Sequence, residues 1–387
     1  MTLFERSSGL IACTLLGFCA LVFLALPPVH QIFAVEGIRW MHVLLTSLAT
    51  TFALTPIMIG IGRGLNLMDV PGERKAHELP TPRIGGIAVY LGFVSALLLN
   101  SILEPWMVGI LLGGTILLVL GVIDDAIELP AWLKLAGQIV ASAAVIYSGK
   151  TLTLLPPTPL GQALNIALTL IWIVGITNAF NFFDGMDGLA PGLAILMAFF
   201  MGLVAMQTEQ AGLAWVAVAL IGSTFGFYPY NFRIQKPALV FLGDGGSTFL
   251  GFTLACLAVK GNWADNDPIV SFSNPILIFG VLIYDMIHIS IERILTGKVS
   301  NVKEWIDYVG RDHLHHRLER LLGSRQASVA MIYALTISLG LAAILLRHAD
   351  IPEAIMLLTQ ASLLVIMITI LEHRGRPAVE ERAQASE

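Results

Sequence analysis

The chain alternates between long apolar stretches and short polar segments over almost its whole length. The apolar stretches are about 18–22 residues long, enough for each to cross a hydrocarbon core of roughly 30 Å as an α-helix. By this criterion about twelve spans are predicted, at residues 9–29, 41–62, 84–103, 105–123, 132–149, 161–180, 188–207, 212–230, 238–260, 274–295, 328–346 and 353–371. The pattern therefore predicts an all-α fold, a polytopic transmembrane helical bundle of about 11–12 helices.

Composition supports a membrane protein and excludes a soluble globular enzyme. Of the 387 residues, 56% are hydrophobic and 13% are charged, and the mean hydropathy is +0.79. Such values are typical of polytopic membrane proteins. The first span, 9–29, lacks a small-residue cleavage site, so we interpret it as a retained anchor and not as a signal peptide. No linker or internal repeat divides the chain, so we expect one membrane domain over residues 1–373 and a disordered cytoplasmic tail over 374–387.

Lysine and arginine are distributed unequally between the two sets of loops. If the N-terminus lies inside, four basic residues fall on the outer side: Arg39, Lys150, Lys260 and Arg347. Because cytoplasmic loops carry the excess of Lys and Arg, both termini are predicted to be cytoplasmic. This topology also places the long polar loops, which carry the candidate chemistry, on the cytoplasmic face.

Three groups of aspartates stand where the chain leaves its apolar stretches, and acids beside a bilayer are costly enough to indicate function. Asp124 and Asp125 directly follow the apolar run 116–123. Two adjacent carboxylates at low dielectric do not ionise together easily without a cation, so the pair is a candidate general base or metal and phosphate site. The alternative is an acid that caps a helix at the membrane interface.

The second group lies in the densest cluster of polar side chains, residues 178–190. Asn178, Asn181, Asp184 and Asp187 recur every three residues, a spacing that forms a narrow polar stripe on a helix. Two glycines in the same segment would break the helix and let the backbone approach a ligand. Oxygen donors of this kind suit a hard divalent cation such as Mg²⁺, although a polar seam between helices is the alternative.

The third group is a single acid, Asp244, inside the glycine-rich segment 241–248. A turn of this composition could point backbone N–H groups at phosphate oxygens, with Ser247 near a helix N-terminus. A glycine-rich turn that binds nothing is the alternative.

Two basic segments complete the candidate set. Lys75 and His77 lie in the segment 69–86, where the alternative is simple topology charge. The other segment holds three histidines and a flanking arginine: His313, His315, His316 and Arg317. Histidines at this density could bind Zn²⁺, but with no cysteine nearby and arginine beside them an anionic diphosphate is favoured. A solvated basic loop is the alternative.

Two further charged residues belong to the tenth predicted span. Asp285 lies within it and Arg293 at its end, eight residues apart. Two helical turns separate them, so they share one face of a helix. We interpret Asp285 as structural or as support for a site, and its role stays open.

Together these motifs resemble those of the polyprenyl-phosphate N-acetylhexosamine-1-phosphate transferase superfamily (glycosyltransferase family 4). The likeness is greatest to its WecA/TagO-like branch, and the related MraY is disfavoured because Leu314 interrupts the histidines. The first span is additional to the roughly eleven helices expected of that branch, and the segment 302–310, near where the family recognises its sugar, looks longer than usual. The motifs occur in family order within residues 40–371, at Asp69…Lys75…His77…Gly86, Asp124-Asp125, 178–190, 241–247 and 313–318.

The resemblance implies transfer of a HexNAc 1-phosphate, with GlcNAc 1-phosphate expected, from a UDP-sugar to undecaprenyl phosphate. UMP would be released, and the product would initiate a cell-envelope polysaccharide such as an O-antigen or teichoic acid. The resemblance also implies a multi-pass protein of the bacterial cytoplasmic membrane, with the lipid bilayer but no nucleic acid as a partner, and it allows a homodimer. Mg²⁺, or Mn²⁺ in its place, would be the cofactor, with Asp244 and Asn181 as its ligands.

The resemblance also assigns roles to the other motif residues. The catalytic residues would be Asp124, Asp125, His313, His315 and His316. The substrate-binding residues would be Lys75, His77, Asn178, Asp184, Asp187 and Arg317. One acid of the Asp pair would deprotonate or orient the lipid phosphate, and direct displacement and a covalent aspartyl-phosphate route both stay open.

An ion-coupled membrane transporter that uses the acidic clusters is the alternative function. A transporter would place its acids near the bilayer midplane, often within inverted repeats. Here the acids are predicted at one face and no repeat is visible, so a transferase is favoured.

Overall fold

The computed structural model describes residues 7–71, 79–263, 268–308, 310, 312–347 and 349–384. Within these ranges the chain is almost entirely helical, and a single pair of short antiparallel strands, β1 (Met68–Asp69) and β2 (Thr81–Pro82), adds a small sheet. The predicted all-α class is confirmed. The helices are α1 (Ser7–Ala25), α2 (Pro27–Val35), α3 (Arg39–Gly64), α4 (Gly85–Leu99), α5 (Pro105–Ile127), α6 (Ala131–Tyr147), α7 (Pro159–Phe182), α8 (Leu189–Gln207), α9 (Ala211–Asn231), α10 (Gly243–Lys260), α11 (Pro268–Ile278), α12 (Gly280–Leu295), α13 (Val302–Asp307), α14 (Leu314–Leu322), α15 (Arg325–Leu346) and α16 (Ile351–Gln384).

Each predicted span coincides with a helix or with a pair of helices, but fewer of them satisfy the requirements of a membrane span. Among the described residues, eight helices are long and apolar enough to cross a membrane, or nine if one bent pair is a single span. Helices α4 and α6 are apolar but shorter, and α10 begins with the polar segment 243–248. The polytopic class is thus confirmed, with a smaller number of full-length apolar spans than the 11–12 predicted.

The tenth predicted span, 274–295, is wrong as a continuous helix. Helices α11 and α12 bend by 78° at a break between Ile278 and Gly280. Pro275 removes a backbone donor inside α11, and Gly280 follows the break, so both weaken the continuity of the helix. The bend makes α12 a separate helix that carries Asp285 and Arg293.

By its internal contacts the chain divides into two compact units, Met1–Gly261 and Asn262–Glu387, where the sequence predicts one membrane domain. In the second unit α14 packs on α15 and α16. Helix α16 continues to Gln384, through most of the segment for which a disordered tail is predicted.

Glycines allow close helix packing in the first unit, where α10 packs against α5, α7 and α4. A Cβ atom on Gly121 of α5 would collide with the backbone of Gly245, and one on Gly86 with the backbone of Gly246. The glycine-rich start of α10 therefore lies directly against α5 and α4. This contact brings the end of α5, with its two aspartates, beside Asp244.

Candidate active site

The two adjacent aspartates at the end of α5 have different environments. Asp125 Oδ2 accepts the backbone N–H of Asp244 at 2.9 Å, and its other oxygen lies 3.7 Å from Arg83 Nη1. This bond satisfies a donor in the first turn of α10, where helices leave N–H groups without internal partners. Gly243, with φ +73°, provides the left-handed turn that precedes it. Asp125, with a side chain 3% exposed, thus ties the glycine-rich turn to α5.

Asp124 and Asp244 instead converge on one cation, the ammonium group of Lys134 in α6. Lys134 Nζ lies 2.9 Å from Asp124 Oδ2 and 3.7 Å from Asp244 Oδ2. The backbone N–H of Leu129 also donates to Asp124, at 2.6 Å. The Asp124 side chain is 8% exposed, whereas that of Asp244 is 36% exposed. The pair is therefore anchored on the α5 side and open to solvent on the α10 side.

Asn181, at the end of α7, orients this open carboxylate. Its Nδ2 donates to Asp244 Oδ1 at 3.3 Å and to the hydroxyl of Ser247 at 2.8 Å. The structure thus brings together the two residues predicted to hold a metal ion, and that metal role stays a prediction. In this arrangement the amide nitrogen of Asn181 faces the carboxylate, so Asn181 positions Asp244.

The predicted polar stripe holds over the first two of its four residues. Helix α7 ends at Phe182, so Asp184 and Asp187 lie in the turn beyond it and not on the helix face. Asn178 forms a reciprocal amide pair with Gln138 of α6, at 2.7 and 3.0 Å. Asn178 thus joins α6 to α7, as the alternative of a polar seam between helices predicts. Among the described residues, no hydrogen bond links Asn178 to the carboxylate cluster.

The turn after α7 nevertheless adds acids to the cluster. Asp184 is half-buried, and burial of its carboxyl group raises its pKa well above the ordinary value. The nearby carboxylates of Asp244, Asp125 and Asp187 raise the pKa further. Asp187 Oδ2 accepts the N–H of Ala238 at 3.0 Å, which holds the turn in place. Asp184 therefore favours its neutral form near the other carboxylates.

Lys75 and His77 lie outside the described residues. The flanks of their segment are joined by pairing of β1 with β2 and by an ion pair between Asp69 and Arg83. Arg83 also faces Asp125, so the end of this segment reaches the carboxylate cluster.

The histidine motif forms a separate cluster in the second unit, around the fully buried Asp285 of α12. Asp285 Oδ2 lies 2.7 Å from His313 Nδ1, and Oδ1 accepts the N–H of Leu314 at 2.7 Å. Arg317 Nη2 lies 3.4 Å from the same Oδ1. Because a carboxylate accepts and does not donate, His313 presents its Nδ1–H to Asp285. The open role of Asp285 is thus to fix the start of α14 and two residues of the motif.

The other two histidines lie beside this core, with the His315 ring nearly parallel to that of His313 and tilted by 46° from that of His316. The rings of His315 and His316 are 4.2 Å apart, and those of His313 and His315 are 6.0 Å apart. Burial holds the pKa of His315 well below its ordinary value, and the neighbouring His316, His313 and Arg317 lower it further. His315 is therefore a neutral imidazole at neutral pH, and the structure brings all four predicted residues of the motif together.

Sequence reasoning missed Lys134 and Asp312. Lys134 is the one charged residue in the α6 sequence, and a lone lysine near a helix start is also what topology alone would produce. Asp312 makes a bidentate ion pair with Arg293, at 2.8 and 2.7 Å, and the Arg293 guanidinium lies over the Tyr308 ring. This pair joins α12 to the start of the histidine motif, and its residues are too far apart in sequence for a local pattern to reveal it.

The carboxylate cluster fits a hard divalent cation. Among the described residues no three His, Cys, Asp or Glu side chains converge as a ready metal site, so neither a zinc site nor a complete protein cage is present there. Mg²⁺ is usually held by one or two carboxylates, with water and substrate phosphates as its remaining ligands. Asp124 and Asp244 already share one cation, Lys134, which shows that both carboxylates can face the same positive charge.

Fold and site together define a multi-pass helical membrane protein with an acidic, partly open cluster at the ends of its helices. The chain matches the model of glycosyl transferase family 4 over residues 107–262. It is 34% identical over 320 residues to a probable undecaprenyl-phosphate N-acetylglucosaminyl 1-phosphate transferase of Bacillus subtilis, covering 81% of this chain and 87% of the relative. A decaprenyl-phosphate N-acetylglucosaminephosphotransferase of Mycobacterium leprae is 32% identical, with 75% and 79% covered. An undecaprenyl-phosphate alpha-N-acetylglucosaminyl 1-phosphate transferase of Yersinia pestis is 29% identical, with 82% and 86% covered.

The chain therefore belongs to glycosyl transferase family 4, as its motifs predict. The family-model match contains Asp124, Asp125, Asn181 and Asp244, the residues that form the carboxylate cluster. The alternative prediction of an ion-coupled transporter is wrong, because the relatives are transferases.

Proposed function

We propose that the protein transfers N-acetylglucosamine 1-phosphate from UDP-GlcNAc to undecaprenyl phosphate, giving undecaprenyl diphosphate-GlcNAc and UMP. The names of the relatives support the sugar phosphate and the polyprenyl phosphate. The single observation that carries the chemistry is the convergence of Asp124 and Asp244 on one cation at a partly exposed position. Such an arrangement suits a reaction in which charged phosphates must be brought together.

In this reaction an oxygen of the lipid phosphate attacks the phosphorus that carries the sugar. A new P–O bond forms to the lipid phosphate, the bond from that phosphorus to the bridging oxygen breaks, and the electron pair leaves with UMP. Both reactants are anionic, so their repulsion must be screened for the oxygen to approach. Positioning and electrostatic stabilisation are therefore the main tasks of the protein.

The divalent cation of the proposed reaction, Mg²⁺ or Mn²⁺, would be held by Asp124 and Asp244, with Asn181 orienting the second carboxylate. When bound, it would neutralise charge on the phosphates. Lys134 would hold Asp124 in place through the 2.9 Å contact and add positive charge beside the phosphates. Asp125 already accepts the N–H of Asp244, so we assign it to shaping the turn and Asp124 to orienting the lipid phosphate.

The histidine cluster keeps its predicted role in binding the diphosphate of the nucleotide sugar. His316 carries a donor of the kind that binds phosphate oxygens, and the buried Arg317 beside it adds positive charge. Asp285 acts through them as a positioning residue, because it fixes His313 and the first turn of α14. On the predicted topology both clusters work on the cytoplasmic face of the bacterial cytoplasmic membrane.

One assay tests this proposal. The purified full-length protein in detergent is incubated with undecaprenyl phosphate, Mg²⁺ and either UDP-GlcNAc or UDP-GalNAc, and UMP release is measured. UMP should appear with UDP-GlcNAc, should require the lipid phosphate and should stop when the cation is chelated. A folded preparation that releases no UMP from either donor would refute the proposed function, and UMP from UDP-GalNAc alone would refute the sugar assignment.

A further inference from the structure

Arg83, directly after β2, lies between two backbone segments of the first unit. Its N–H donates to the carbonyl of Leu67, beside β1, at 3.2 Å. On the other side, the N–H of Phe241 donates to the carbonyl of Pro82 at 2.8 Å. A Cβ atom on Gly243 would collide with the carbonyl oxygen of Arg83. The backbone of Arg83 is therefore held between the two-stranded sheet and the glycine-rich turn at the start of α10.

The guanidinium group of Arg83 joins two carboxylates. Nη2 pairs with Asp69 of β1, and Nη1 lies 3.7 Å from Asp125 Oδ1. The other oxygen of Asp125 accepts the N–H of Asp244 at 2.9 Å. These contacts form one chain from the sheet, through Arg83 and Asp125, to the first turn of α10. Within the described residues no ion pair joins Arg83 directly to Asp124 or Asp244, so Arg83 contacts the proposed metal ligands through Asp125.

The two cations of the carboxylate cluster differ in how firmly they are held. Lys134, with a side chain 40% exposed, contacts Asp124 and Asp244, the residues proposed to hold the divalent cation. Arg83 is 25% exposed, and its partner Asp125 is 3% exposed. A planar guanidinium can hold two carboxylates in fixed directions, whereas an ammonium group is a point charge. We therefore expect a metal ion or a phosphate to displace Lys134 from its partners and to leave Arg83 in place.

We propose that Arg83 is a positioning residue for the transfer reaction, because it holds Asp125 on the backbone of Asp244 and so keeps the Asp244 carboxylate directed at the proposed cation site. This inference rests on the proposed function. Without Arg83, Asp125 would be a nearly buried carboxylate that has lost its ion pair, which is strongly unfavourable. Its hydrogen bond to the first turn of α10 would weaken, and a misplacement of about 1 Å can lower a reaction rate by about 100-fold.

Steady-state kinetics of UMP release by the purified full-length protein test this assignment. Arg83→Gln should lower kcat by about 100-fold. It should change the KM for UDP-GlcNAc and for undecaprenyl phosphate by less than about threefold, because a positioning residue contacts neither substrate. Arg83→Lys keeps the charge but not the planar fork, so it should recover part of the lost kcat. The matched control is Arg63→Gln, at an exposed arginine in the last turn of α3, which should change kcat by less than about twofold.

A double-mutant cycle shows whether Arg83 acts through Asp125. Asp125→Asn alone should lower kcat, and Arg83→Gln added to it should lower kcat by less than about threefold more, because the contact is already lost. Two effects that multiply would mean independent action and would overturn the proposal. A kcat of Arg83→Gln equal to that of the unaltered protein would also overturn it. A KM raised by more than about tenfold would assign Arg83 to direct substrate binding instead.

Hydrogen–deuterium exchange of residues 241–248 tests the same contact without substrate or activity. In Arg83→Gln the amide of Asp244 should exchange faster by roughly tenfold, as expected when a charge-assisted hydrogen bond weakens. Exchange in α15 should not change, which separates a local effect from poor folding. Asp69→Asn is the milder second variant, since it removes the other partner of Arg83, and it should also speed exchange in this segment.

The two measurements also separate this inference from the proposed function. Unchanged exchange of residues 241–248 in both Arg83→Gln and Asp69→Asn would overturn the positioning role, even if the unaltered protein releases UMP. An unaltered protein that releases no UMP would refute the proposed function, and the exchange would still show whether Arg83 holds the start of α10.

Discussion

In the first unit one lysine lies between two aspartates, whereas in the second unit one aspartate lies between a histidine and an arginine. Lys134 and Asp244 have side chains 40% and 36% exposed. Asp285 has a side chain with no exposed surface, and its partners His313 and Arg317 are 8% and 3% exposed. The first cluster therefore has a central cation that is exposed to solvent, and the second has a central anion that is buried.

This difference in exposure means that the residues of the carboxylate cluster can exchange one charged partner for another, whereas those of the Asp285 cluster cannot. Exposed charges interact weakly with one another because water screens them, so a phosphate or a metal ion can replace one contact with another at little cost. A buried charge that loses its partner is left unsatisfied, which costs several kcal/mol. We therefore expect the carboxylate cluster to take part in the reaction, and the buried contacts of Asp285 to hold the shape that presents His316 to the nucleotide sugar.

Asp244→Asn should have the largest effect on turnover. It removes the charge of the open carboxylate while keeping its size, and UMP release should fall by at least about 10,000-fold, or about 5.5 kcal/mol. The matched control is Asp350→Asn, a change at an exposed acid that caps α16. Activity within tenfold of the unaltered protein would remove Asp244 from the metal site.

Asp285→Ala should have the largest effect on stability. It leaves His313 and Arg317 buried without their shared acid, at a cost of about 3–5 kcal/mol in the free energy of unfolding. Asp285→Asn should cost less, because the amide oxygen can still accept the N–H of Leu314. Thermal unfolding in detergent measures both variants, and an unfolding temperature equal to that of the unaltered protein would show that the cluster is not a structural unit.

The sequence predicts these two clusters to different degrees. Apolar length and the glycine-flanked Asp244 are local signals, so the helices and the carboxylate group could be predicted from them. Contacts between helices could not, because Lys134 meets Asp124 across a turn and Asp285 meets His313 across 28 positions of sequence. The break between α11 and α12 was missed for a related reason: apolar length does not report where a helix bends.

Lys134→Met should distinguish the role of the carboxylate cluster from that of the Asp285 cluster most clearly. It removes the cation that Asp124 and Asp244 share, and UMP release should fall by about 100-fold. The unfolding temperature should fall less than in Asp285→Ala, because Lys134 is 40% exposed and Asp124 keeps the N–H of Leu129 as a donor. Lys134→Arg should recover part of the activity, and Lys298→Met, at an exposed lysine, is the control. A fall in unfolding temperature as large as that of Asp285→Ala would contradict the distinction drawn between the clusters.

The pH dependence of stability should have opposite signs in the two units. Asp184 binds a proton more tightly in the folded state, so its contribution is lost as pH rises from its ordinary value of 3.8 through the raised pKa. The pKa of His315 is lowered, so stability falls as pH drops below the ordinary value of 6.5. Each slope is at most about 1.4 kcal/mol per pH unit.

Thermal unfolding between pH 5 and 8 distinguishes these contributions. Asp184→Asn should flatten the loss of stability toward high pH, and His315→Gln should flatten the loss toward low pH. If both variants changed the same side of the profile, one of the two assignments of charge would be wrong.

The smallest effect is expected at the amide pair that joins α6 to α7. Asn178 and Gln138 exchange two hydrogen bonds at 2.7 and 3.0 Å, and hydrogen bonds between membrane helices contribute about 0.6 kcal/mol on average. A double-mutant cycle of Asn178→Ala and Gln138→Ala, followed by thermal unfolding, should therefore give a coupling energy of about 0.5–1.5 kcal/mol.

The KM for UDP-GlcNAc distinguishes the two interpretations of Asn178. If Asn178→Ala raises KM by more than about tenfold while Gln138→Ala does not, Asn178 contacts the substrate directly, as the motif predicts. If both variants change KM alike, the pair acts by aligning the helix that carries Asn181.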